Sequence, residues 1–483
     1  MKTIEALQRK RVLIWVFEIS AELVDELACH GIDVVAVAQG SFPGIDSFSI
    51  HDLFYGSPAI SALGQVMAPP EWLDAESFRR YSLCLQRIGF VPSSTRTDTF
   101  SGGIVPGYDT EDMARLHLAH AASVLKGLSI DEVWFTTPPH LAVDMMLSLA
   151  ARRMGIRVIE FMQLPFIAKF RVRIDEGRRE VRWEQVPRLP WTQGAFAPNL
   201  SYMQKATRRP LWQSLLRGAW QVPVRLLAGG KRGASETLHD WSTRLDKRNA
   251  ITRMLERLDP RLSPWVELRT RLHRRFKANR ASVERIGDLD AVGEFVYFPL
   301  HLEPEVNVHV MGRRFFNQLD AVQALLGVLP QGWTVLLKEN PKQGYVHRGD
   351  AFYRRLRRLP RVRLVTDEMP SARLIERSRL VATIVGTAGY EALLAGKACI
   401  HFGDAWYAGL PGAFSFDEGL DLATIAACGP ERADLDRGMN ALLGKLPDGM
   451  AYPRYATALD PATLPATYRA TASSMAAISA AVE

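Results

Sequence analysis

The chain has 483 residues, of which 47% are hydrophobic, and its formal net charge is +8. This length predicts two or three domains, and the composition excludes a disordered or collagen-like chain. The four cysteines, at positions 29, 84, 399 and 428, form no CxxC pair, which argues against a zinc site or disulfide framework and for a reducing cytoplasm. The first apolar run stops at Glu18, so a signal peptide or membrane span is not expected there.

The first 200 residues alternate between strand and helix patterns. Continuous apolar runs predict strands at 11–17, 32–38, 131–137 and 156–161, and helical spacing predicts helices at 20–31 and 140–155. Strand, helix and strand joined by short connections are typical of a parallel α/β sheet. Residues 1–200 are therefore predicted to form a Rossmann-like domain.

The next segment, residues 201–285, has a different composition. Between 204 and 280 there are 19 Lys and Arg but only 6 Asp and Glu, so the basicity of the chain is concentrated here. Leucines and tryptophans lie among the arginines, and Gly and Pro breakers divide the pattern. This pattern predicts a helical basic insertion.

The α/β alternation returns after residue 285. Strands are predicted at 294–300, 333–341, 362–366, 380–386 and 398–403, with helices at 317–330, 350–360, 371–378 and 389–397. Residues 286–440 are predicted to form a second Rossmann-like domain, and the partly helical tail 441–483 to pack back on the first domain. The predicted fold class is α/β, with two doubly wound domains facing across a cleft.

Polar residues follow several strands of the second domain. His301 and Glu303 come after its first strand, Lys338 and Asn340 end the second, and the stretch Gly386–Gly389 follows the fourth. Open parallel sheets bind their ligands beyond the carboxyl ends of the strands. These residues are therefore expected to lie at one edge of the sheet and to contact a ligand.

The strongest motif is "VGTAGYEALLAGK" at 385–397. Small residues at a strand-to-helix turn let a phosphate approach the free N–H groups of a helix start, which assigns phosphate binding to Gly386, Thr387, Ala388 and Gly389. Glu391, one turn into the helix, is placed to accept hydrogen bonds from ribose. A tight turn capped by Thr387 is the alternative, and no Walker G-K-[ST] follows.

Two of the other candidates have equally simple structural interpretations. Lys338 is either a cation for phosphate or a solvated strand end. His301 is either a ligand contact or a hydrogen-bonded structural histidine.

In the first domain, "TTPPH" ends a strand and places His140 at the start of the following helix. Such a position lowers the pKa of an imidazole. Glu18 ends the first strand, at the same predicted edge. Either residue is a candidate acid, base or nucleophile, and either could equally be a helix-start or loop residue.

The motifs "YFPLHLEPE", Gln318, "KENP" and "VGTAGYEALLAGKACIHFG" together resemble the bacterial capsule polysaccharide biosynthesis proteins. The resemblance covers about 290–410, with a weaker similarity over "DEVWFTTPPHLAVDMMLSLAARRMGIRV". It implies a two-domain glycosyltransferase of the GT-B type. In that family the second domain holds a nucleotide-activated sugar, often CMP-Kdo, and the acceptor enters from the first domain.

The sequence departs from the family pattern at two places. The usual Lys-x-His-Pro is Lys338-Glu339-Asn340-Pro341 here, and Leu302 stands where an aromatic residue usually precedes Glu-Pro-Glu. The missing histidine is expected to touch the donor phosphate, and Asn340 can offer a hydrogen bond but no charge. The donor class is therefore left open by the sequence.

The function expected from these features is transfer of a sugar from a nucleotide sugar to a surface polysaccharide or lipid-linked acceptor. Neither a cofactor nor a metal is expected, because no DxD-like carboxylate pair stands at a strand end. Two alternatives are a nucleotide-sugar epimerase of the same architecture and a non-catalytic capsule-assembly protein. Nucleic-acid binding is not expected, since the basic segment contains no recognisable module.

The basic segment also bears on location. Trp212, Leu215, Leu216 and Trp220 lie at helical spacing beside several arginines. This stripe is either core or a surface that rests on anionic lipid. The second interpretation predicts a cytoplasmic protein that associates peripherally with the inner face of the membrane.

Overall fold

The computed structural model describes residues 9–15, 20–38, 45–87, 91–93, 104–164, 169–186, 271, 274–303, 305–341, 343, 348–452 and 461–482. The strands are β1 Lys10–Trp15, β2 Ile32–Ala38, β3 Ser47–Ser49, β4 Val91–Ser93, β5 Ile104–Pro106, β6 Glu132–Phe135, β7 Arg157–Gln163, β8 Phe170–Ile174, β9 Arg285–Ile286, β10 Phe295–Pro299, β11 Thr334–Lys338, β12 Val362–Val365, β13 Leu380–Thr383, β14 Cys399–His401 and β15 Ala413–Ser415. Glu18 and nearly all of the basic segment lie outside the described residues.

The α-helices fall between these strands and after them. They are α1 Ala21–Cys29, α2 Ile50–Tyr55, α3 Pro58–Ala62, α4 Ala75–Arg87, α5 Gly107–Gly127, α6 Val143–Arg153, α7 Val306–His309, α8 Gln318–Gly327, α9 Asp350–Arg358, α10 Ser371–Arg377, α11 Thr387–Leu394, α12 Leu422–Ala426, α13 Arg432–Lys445 and α14 Leu464–Ala480.

The first sheet, called here the N-terminal sheet, has six strands in the order β3-β2-β1-β6-β7-β8. Its neighbours pair in parallel except for β7 and β8, which are antiparallel. The order reverses direction at β1, as in a doubly wound sheet. β4 and β5 form a separate two-stranded parallel ladder.

Apolar side chains cover both faces of the N-terminal sheet. Along β1, Leu13 and Trp15 belong to the core formed with α2–α6, whereas Val12 and Ile14 belong to the core on the opposite face. Side chains alternate across a strand, so a strand covered on both faces must be apolar throughout. This requirement explains the uninterrupted run that marks β1 in the sequence.

The last helix, α14, completes the second of these cores. It packs against α1, and Met475 and Ile478 are buried with Val12 and Ile14. Its Ser479 hydroxyl donates a hydrogen bond of 2.8 Å to Glu132 at the start of β6. The C-terminal tail thus packs on the N-terminal sheet and forms part of its core.

The second sheet, called the C-terminal sheet, has seven strands in the order β15-β14-β13-β10-β11-β12-β9. All of its pairings are parallel, and Pro299 of β10 stands opposite Lys338 of β11. Two parallel-dominated sheets flanked by helices confirm the predicted fold class of two doubly wound Rossmann-like domains.

The chain forms two compact units. The first contains both sheets and consists of Met1–Pro198, Glu284–Gln343 and Arg355–Glu483; the second consists of Asn199–Val283 and Gly344–Arg354. Among the described residues of the second unit, Phe276 packs edge-on against Tyr353 with ring centroids 6.1 Å apart. No described helix is long and apolar enough to cross a membrane.

Candidate functional site

The turn between β13 and α11 offers two unused backbone donors. Gly386 is the N-cap of α11, and its own N–H donates to the Thr383 hydroxyl at 3.2 Å. The N–H groups of Thr387 and Ala388, in the first turn of α11, have no acceptor among the described residues. Donors of this kind at the positive end of a helix suit an oxyanion.

Gly386 is needed at this turn because a histidine ring lies against it. A Cβ added at Gly386 would lie 2.7 Å from the Thr383 hydroxyl and 3.0 Å from Cε1 of His301. Contacts that short require a neighbour to move. The glycine therefore lets the imidazole of the β10 loop approach the start of α11.

Gly389 has a different role from the one its sequence position suggests. Its N–H already donates to the Gly386 carbonyl at 3.1 Å, so it is not a free phosphate donor. A Cβ on Gly389 would lie only 2.2 Å from the hydroxyl of the buried Tyr407. That hydroxyl donates to the Gly386 carbonyl at 2.7 Å, so Gly389 makes room for the tyrosine that holds the turn.

His301 is fixed on both its backbone and its ring. Its N–H donates to Oε1 of Gln318 at 2.6 Å, and Nε2 of Gln318 donates to its carbonyl at 3.1 Å. Its ring Nε2 lies 3.1 Å from the Thr383 hydroxyl, the group that also receives the Gly386 N–H. Thr383 thereby links the two sequence-predicted residues His301 and Gly386.

The same arrangement recurs two residues later. The N–H of Glu303 donates to Oε1 of Gln343 at 2.8 Å, and Nε2 of Gln343 donates to the Glu303 carbonyl at 2.9 Å. Two glutamine amides therefore hold the backbone that follows β10. Glu303 and Glu305 are partly exposed on this loop.

Lys338 is directed toward a different part of the edge. Its Nζ donates to the Met369 carbonyl at 2.6 Å and to the Ser371 hydroxyl at 3.2 Å. Met369 and Ser371 flank the start of α10, beyond β12, whereas α11 follows β13 on the other side of β10. These contacts favour a structural role for Lys338. Asn340, two residues on, accepts the N–H of Gln343 at 2.9 Å through its carbonyl.

Glu391 lies one turn into α11 and is partly buried. Burial raises the pKa of its carboxyl, and a hydrogen bond from the Thr387 hydroxyl, at 3.5 Å, opposes that rise. Its carboxylate thus lies within hydrogen-bond distance of the Thr387 side chain, and ribose binding by Glu391 stays a prediction.

His140 does not lie in the first turn of a helix, so that prediction is wrong. Helix α6 begins at Val143, and Ala142 before it has a positive φ of 64°. The Asp144 carboxylate, in the first turn of α6, accepts the N–H groups of His140 and Leu141 at 2.7 and 2.6 Å and so fixes the loop before the helix. Nδ1 of the buried His140 donates to the Pro138 carbonyl at 2.5 Å. A catalytic role for His140 stays a prediction, as does that of Glu18.

A cleft of about 800 Å³ lies between the two sheets. One wall comes from helix α4 and strand β8, and the other from residues between His309 and Phe316 and from Asp404, which follows β14. Arg79 of α4 stacks over the ring of Phe316 across this cleft, 4.8 Å from its centroid. Six arginines line it: Arg79, Arg80, Arg171, Arg173, Arg313 and Arg314.

The sequence predicted a cleft between the two domains but not the arginines that line it, although one signal was present. The stretch "FRVRI" in β8 alternates arginine with apolar residues, which places both arginines on one face of a strand. The segment lies outside the region of family resemblance and so received no assignment. Thr383 and Tyr407 were also missed, because their roles depend on contacts between separate elements.

Comparison with known protein families gives one match. The family model described as capsule polysaccharide biosynthesis protein matches residues 271–439, which contain β9–β15 and the turn before α11. Comparison with curated proteins gives no match.

Several solved structures are distantly similar. A UDP-GlcNAc 2-epimerase from Methanocaldococcus jannaschii is 9% identical, with 90% of this chain and 97% of that chain covered and a TM-score of 0.25. KpsC from Thermosulfurimonas dismutans, a beta Kdo 2,4 transferase, is 14% identical, with 63% and 80% covered and a TM-score of 0.25. The glycosyltransferase SnogD from Streptomyces nogalater is 9% identical, with 90% and 94% covered and a TM-score of 0.22. Similarity this low supports no functional assignment.

The family match spans the C-terminal sheet and the α11 turn, where the sequence motifs carry the same resemblance. The family match is therefore confined to residues 271–439, about a third of the chain, and over that segment the chain is similar to the capsule polysaccharide biosynthesis proteins.

Proposed function

We propose that the protein is a glycosyltransferase that moves a sugar from a nucleotide-sugar donor to a surface-polysaccharide or lipid-linked acceptor. The observation that carries this proposal is the β13–α11 turn, in which two N–H groups without an acceptor among the described residues open a helix within the family-matched segment. Such a turn suits the phosphate of a nucleotide. CMP-Kdo is the candidate donor, on the strength of the family resemblance.

Catalysis at this turn would act on the leaving group. Transfer breaks the bond between the sugar and the nucleotide phosphate, and negative charge grows on that phosphate. The N–H groups of Thr387 and Ala388 are fixed in place and need no reorganisation to stabilise this charge. His301 lies beside the turn and stays a candidate contact to the phosphate, and Glu391 a candidate contact to ribose. No metal is assigned a role in this proposal.

The proposed acceptor and location depend on the basic segment. Residues 204–270 lie outside the described residues, so the proposed peripheral association with an anionic membrane surface is supported by the sequence alone. Co-sedimentation with anionic and neutral liposomes at two salt concentrations tests it. Equal binding to both kinds of liposome would contradict an electrostatic mechanism.

The donor site can be tested by removing a single N–H group. Thr387→Pro deletes the backbone donor at the first helical position, where proline is well tolerated. Gly386 has φ −70° and ψ 153°, a conformation compatible with a following proline. Losing a hydrogen bond to a charged phosphate costs about 1.5–3 kcal/mol, so nucleotide affinity should fall roughly 10- to 100-fold.

The matched control is Thr387→Ala, which also loses the hydroxyl but keeps the N–H. Calorimetric titrations with CMP-, UDP-, GDP- and TDP-sugars should show at least one nucleotide that binds the wild type and the alanine variant. Equal affinity in the proline and alanine variants would contradict phosphate binding at this turn. Absence of sugar transfer or donor hydrolysis with every nucleotide sugar would contradict the enzymatic assignment.

A further inference from the structure

Most arginines of the cleft are paired with carboxylates. Five of the six have a partner within 4.0 Å: Arg79 with Glu76, Arg80 with Glu176, Arg173 with Glu160, Arg313 with Asp404 and Arg314 with Glu418. Arg171 is the exception. Its guanidinium has no carboxylate within that distance and no hydrogen-bond acceptor among the described residues.

The register of the edge strand β8 explains why Arg171 has no carboxylate partner among the described residues. In the antiparallel pair of β7 and β8, Arg173 stands opposite Glu160, but Arg171 stands opposite Met162. Directly opposed side chains are the ones that pair across a sheet. The Arg173 guanidinium lies 2.5 Å from the Glu160 carboxylate, and Arg171 has only a thioether across from it.

Asp404, the acid whose charge acts on Arg171, is already engaged. Asp404, which follows β14, pairs with Arg313 and lies 4.0 Å from Arg173. Burial lowers the pKa of Arg171, the charge of Asp404 opposes that shift, and the neighbouring Arg173 and Arg313 add to it. A partly buried cation among like charges is unfavourable unless an anion joins it.

The size and position of the cleft point to a ligand larger than an ion. A volume of about 800 Å³ lies within the range of pockets that hold small organic molecules. The cleft wall also adjoins the donor turn: the Asp404 N–H donates to the Met311 carbonyl at 3.0 Å, and a Cβ on Gly403 would lie 2.9 Å from Val385, just before Gly386. A molecule in the cleft would therefore lie next to a donor bound at α11.

We propose that this cleft binds the acceptor saccharide through an oxyanion, a carboxylate or a phosphate, and that Arg171 contacts the oxyanion directly. The acceptor would thus be acidic. The identification of the ligand as the acceptor rests on the proposed function. Anion binding by the cleft can be tested independently of that function.

The test uses an acidic and a neutral oligosaccharide of equal length, hexagalacturonate and maltohexaose, titrated into the full chain at low ionic strength. The wild type should bind hexagalacturonate more tightly than maltohexaose. Arg171→Gln should lower the affinity for hexagalacturonate about 10-fold or more, as expected for the loss of a charge-assisted hydrogen bond. Arg171→Lys keeps the charge and should retain part of the affinity. Arg432→Gln, at an exposed ion pair on α13, should leave it unchanged.

Competition at constant ionic strength distinguishes the two sources of the oxyanion. Displacement of the bound oligosaccharide by inorganic phosphate identifies a phosphate-preferring site, and displacement by acetate identifies a carboxylate-preferring one. Displacement by neither would contradict the proposal.

Measuring the nucleotide affinity of the same variants distinguishes a failure of this proposal from a failure of the proposed function. Arg171→Gln should bind nucleotide like the wild type, which also shows that it is folded. Equal wild-type affinity for the two oligosaccharides, affinity in Arg171→Gln within threefold of the wild type, or joint loss of oligosaccharide and nucleotide would each overturn the assignment. Failure of every protein to bind nucleotide would count against the proposed function and leave the oligosaccharide comparison intact.

Discussion

The N-terminal sheet carries cations at both ends of its parallel strands, called here the amino edge and the carboxyl edge, and the two edges differ in how a carboxylate compensates them. At the amino edge, Lys10 and Arg157 both reach the buried Glu132, at 2.9 and 2.8 Å. The same carboxylate also accepts the indole N–H of Trp134 and the hydroxyl of Ser479, each at 2.8 Å. At the carboxyl edge, Arg171 faces Met162 and has no carboxylate partner among the described residues.

This difference indicates two roles for charged side chains. The charges around Glu132 stabilise the fold, whereas the charge of Arg171 is proposed to bind a ligand. A buried carboxylate with a complete set of donors fixes the elements that supply them, here β1, β6, β7 and the C-terminal helix α14. A cation without a partner adds nothing to that network and is unfavourable by itself. Stability and ligand binding should therefore respond in opposite ways to mutations at the two edges.

The largest effect is expected at the amino edge. Glu132→Gln removes the charge that compensates Lys10 and Arg157, and breaking a buried ion pair costs about 3–5 kcal/mol. The free energy of unfolding, measured in urea, should fall by about that amount, and α14 should become more susceptible to proteolysis. A loss below about 1 kcal/mol would show that the network is not what anchors α14.

The control for this variant is Glu111→Gln. Glu111 forms an exposed pair with Arg115 on the same helix, at 2.7 Å. Pairs of this kind contribute about 0.5 kcal/mol or less, so the control should unfold like the wild type.

A third region shows how the same domain buries a titratable group in its neutral form. The buried His117 accepts the Tyr81 hydroxyl at Nδ1 (2.9 Å) and donates from Nε2 to the Phe54 carbonyl (3.0 Å). Burial, and secondarily the charge of His120, lowers the pKa of His117 from 6.5 to about 3. The unfolded chain therefore binds a proton at pH values where the folded chain does not.

Stability should accordingly be lost as the pH falls. Above the unfolded pKa the neutral imidazole is present in both states, and between about pH 6.5 and 3 unfolding is favoured by about 1.4 kcal/mol per pH unit from this residue. Urea denaturation at several pH values should show a shallower acid dependence in His117→Gln than in the wild type. Identical slopes would contradict a neutral buried His117.

The β13–α11 turn of the C-terminal sheet is the second proposed anion site, and it offers backbone N–H groups instead of arginines. The conformation of this turn depends on packing against Tyr407. Gly389→Ala forces the Tyr407 ring away from the start of α11, and overpacking of this kind costs about 1–3 kcal/mol. Gly327→Ala, at a glycine of α8 with open space around its Cα, is the matched control and should not destabilise the protein. Equal stability of the two variants would show that Tyr407 moves freely.

The smallest effect is expected at Arg171. Removing a partly buried charge that has no carboxylate partner among the described residues should leave the melting temperature of Arg171→Gln equal to that of the wild type or slightly raise it, as often occurs at functional residues. Differential scanning calorimetry measures this. A clear decrease would mean that Arg171 stabilises the fold and would weaken the distinction between the two edges.

Much of the fold could be predicted from the sequence, because strands covered on both faces are apolar throughout. Runs at 11–17 and 32–38 correspond to β1 and β2, and the helix predicted at 389–397 corresponds to α11 Thr387–Leu394. The short or polar edge strands β3, β8, β9 and β15 were not predicted, since edge strands need no continuous apolar run. Helices α2–α5 were also not assigned.

The candidate site was predictable only where it depends on strand order. Polar residues at the carboxyl ends of parallel strands share one edge, and this placed His301 and Gly386 together correctly. The roles of Gly389, Lys338 and His140 were misjudged or left open, because they depend on Tyr407, on Met369 and on Asp144, which belong to other parts of the chain or to a later turn. The unpaired state of Arg171 requires the register of β7 and β8, which the sequence does not reveal.

The two proposals together require two separate anion sites, a neutral one at α11 and a cationic one in the cleft. The most direct test measures the affinities of Thr387→Pro and Arg171→Gln for both a nucleotide and hexagalacturonate. Thr387→Pro should lose only nucleotide affinity and Arg171→Gln only hexagalacturonate affinity, about 10-fold or more in each case. Parallel loss of both ligands in either variant would contradict two separate sites.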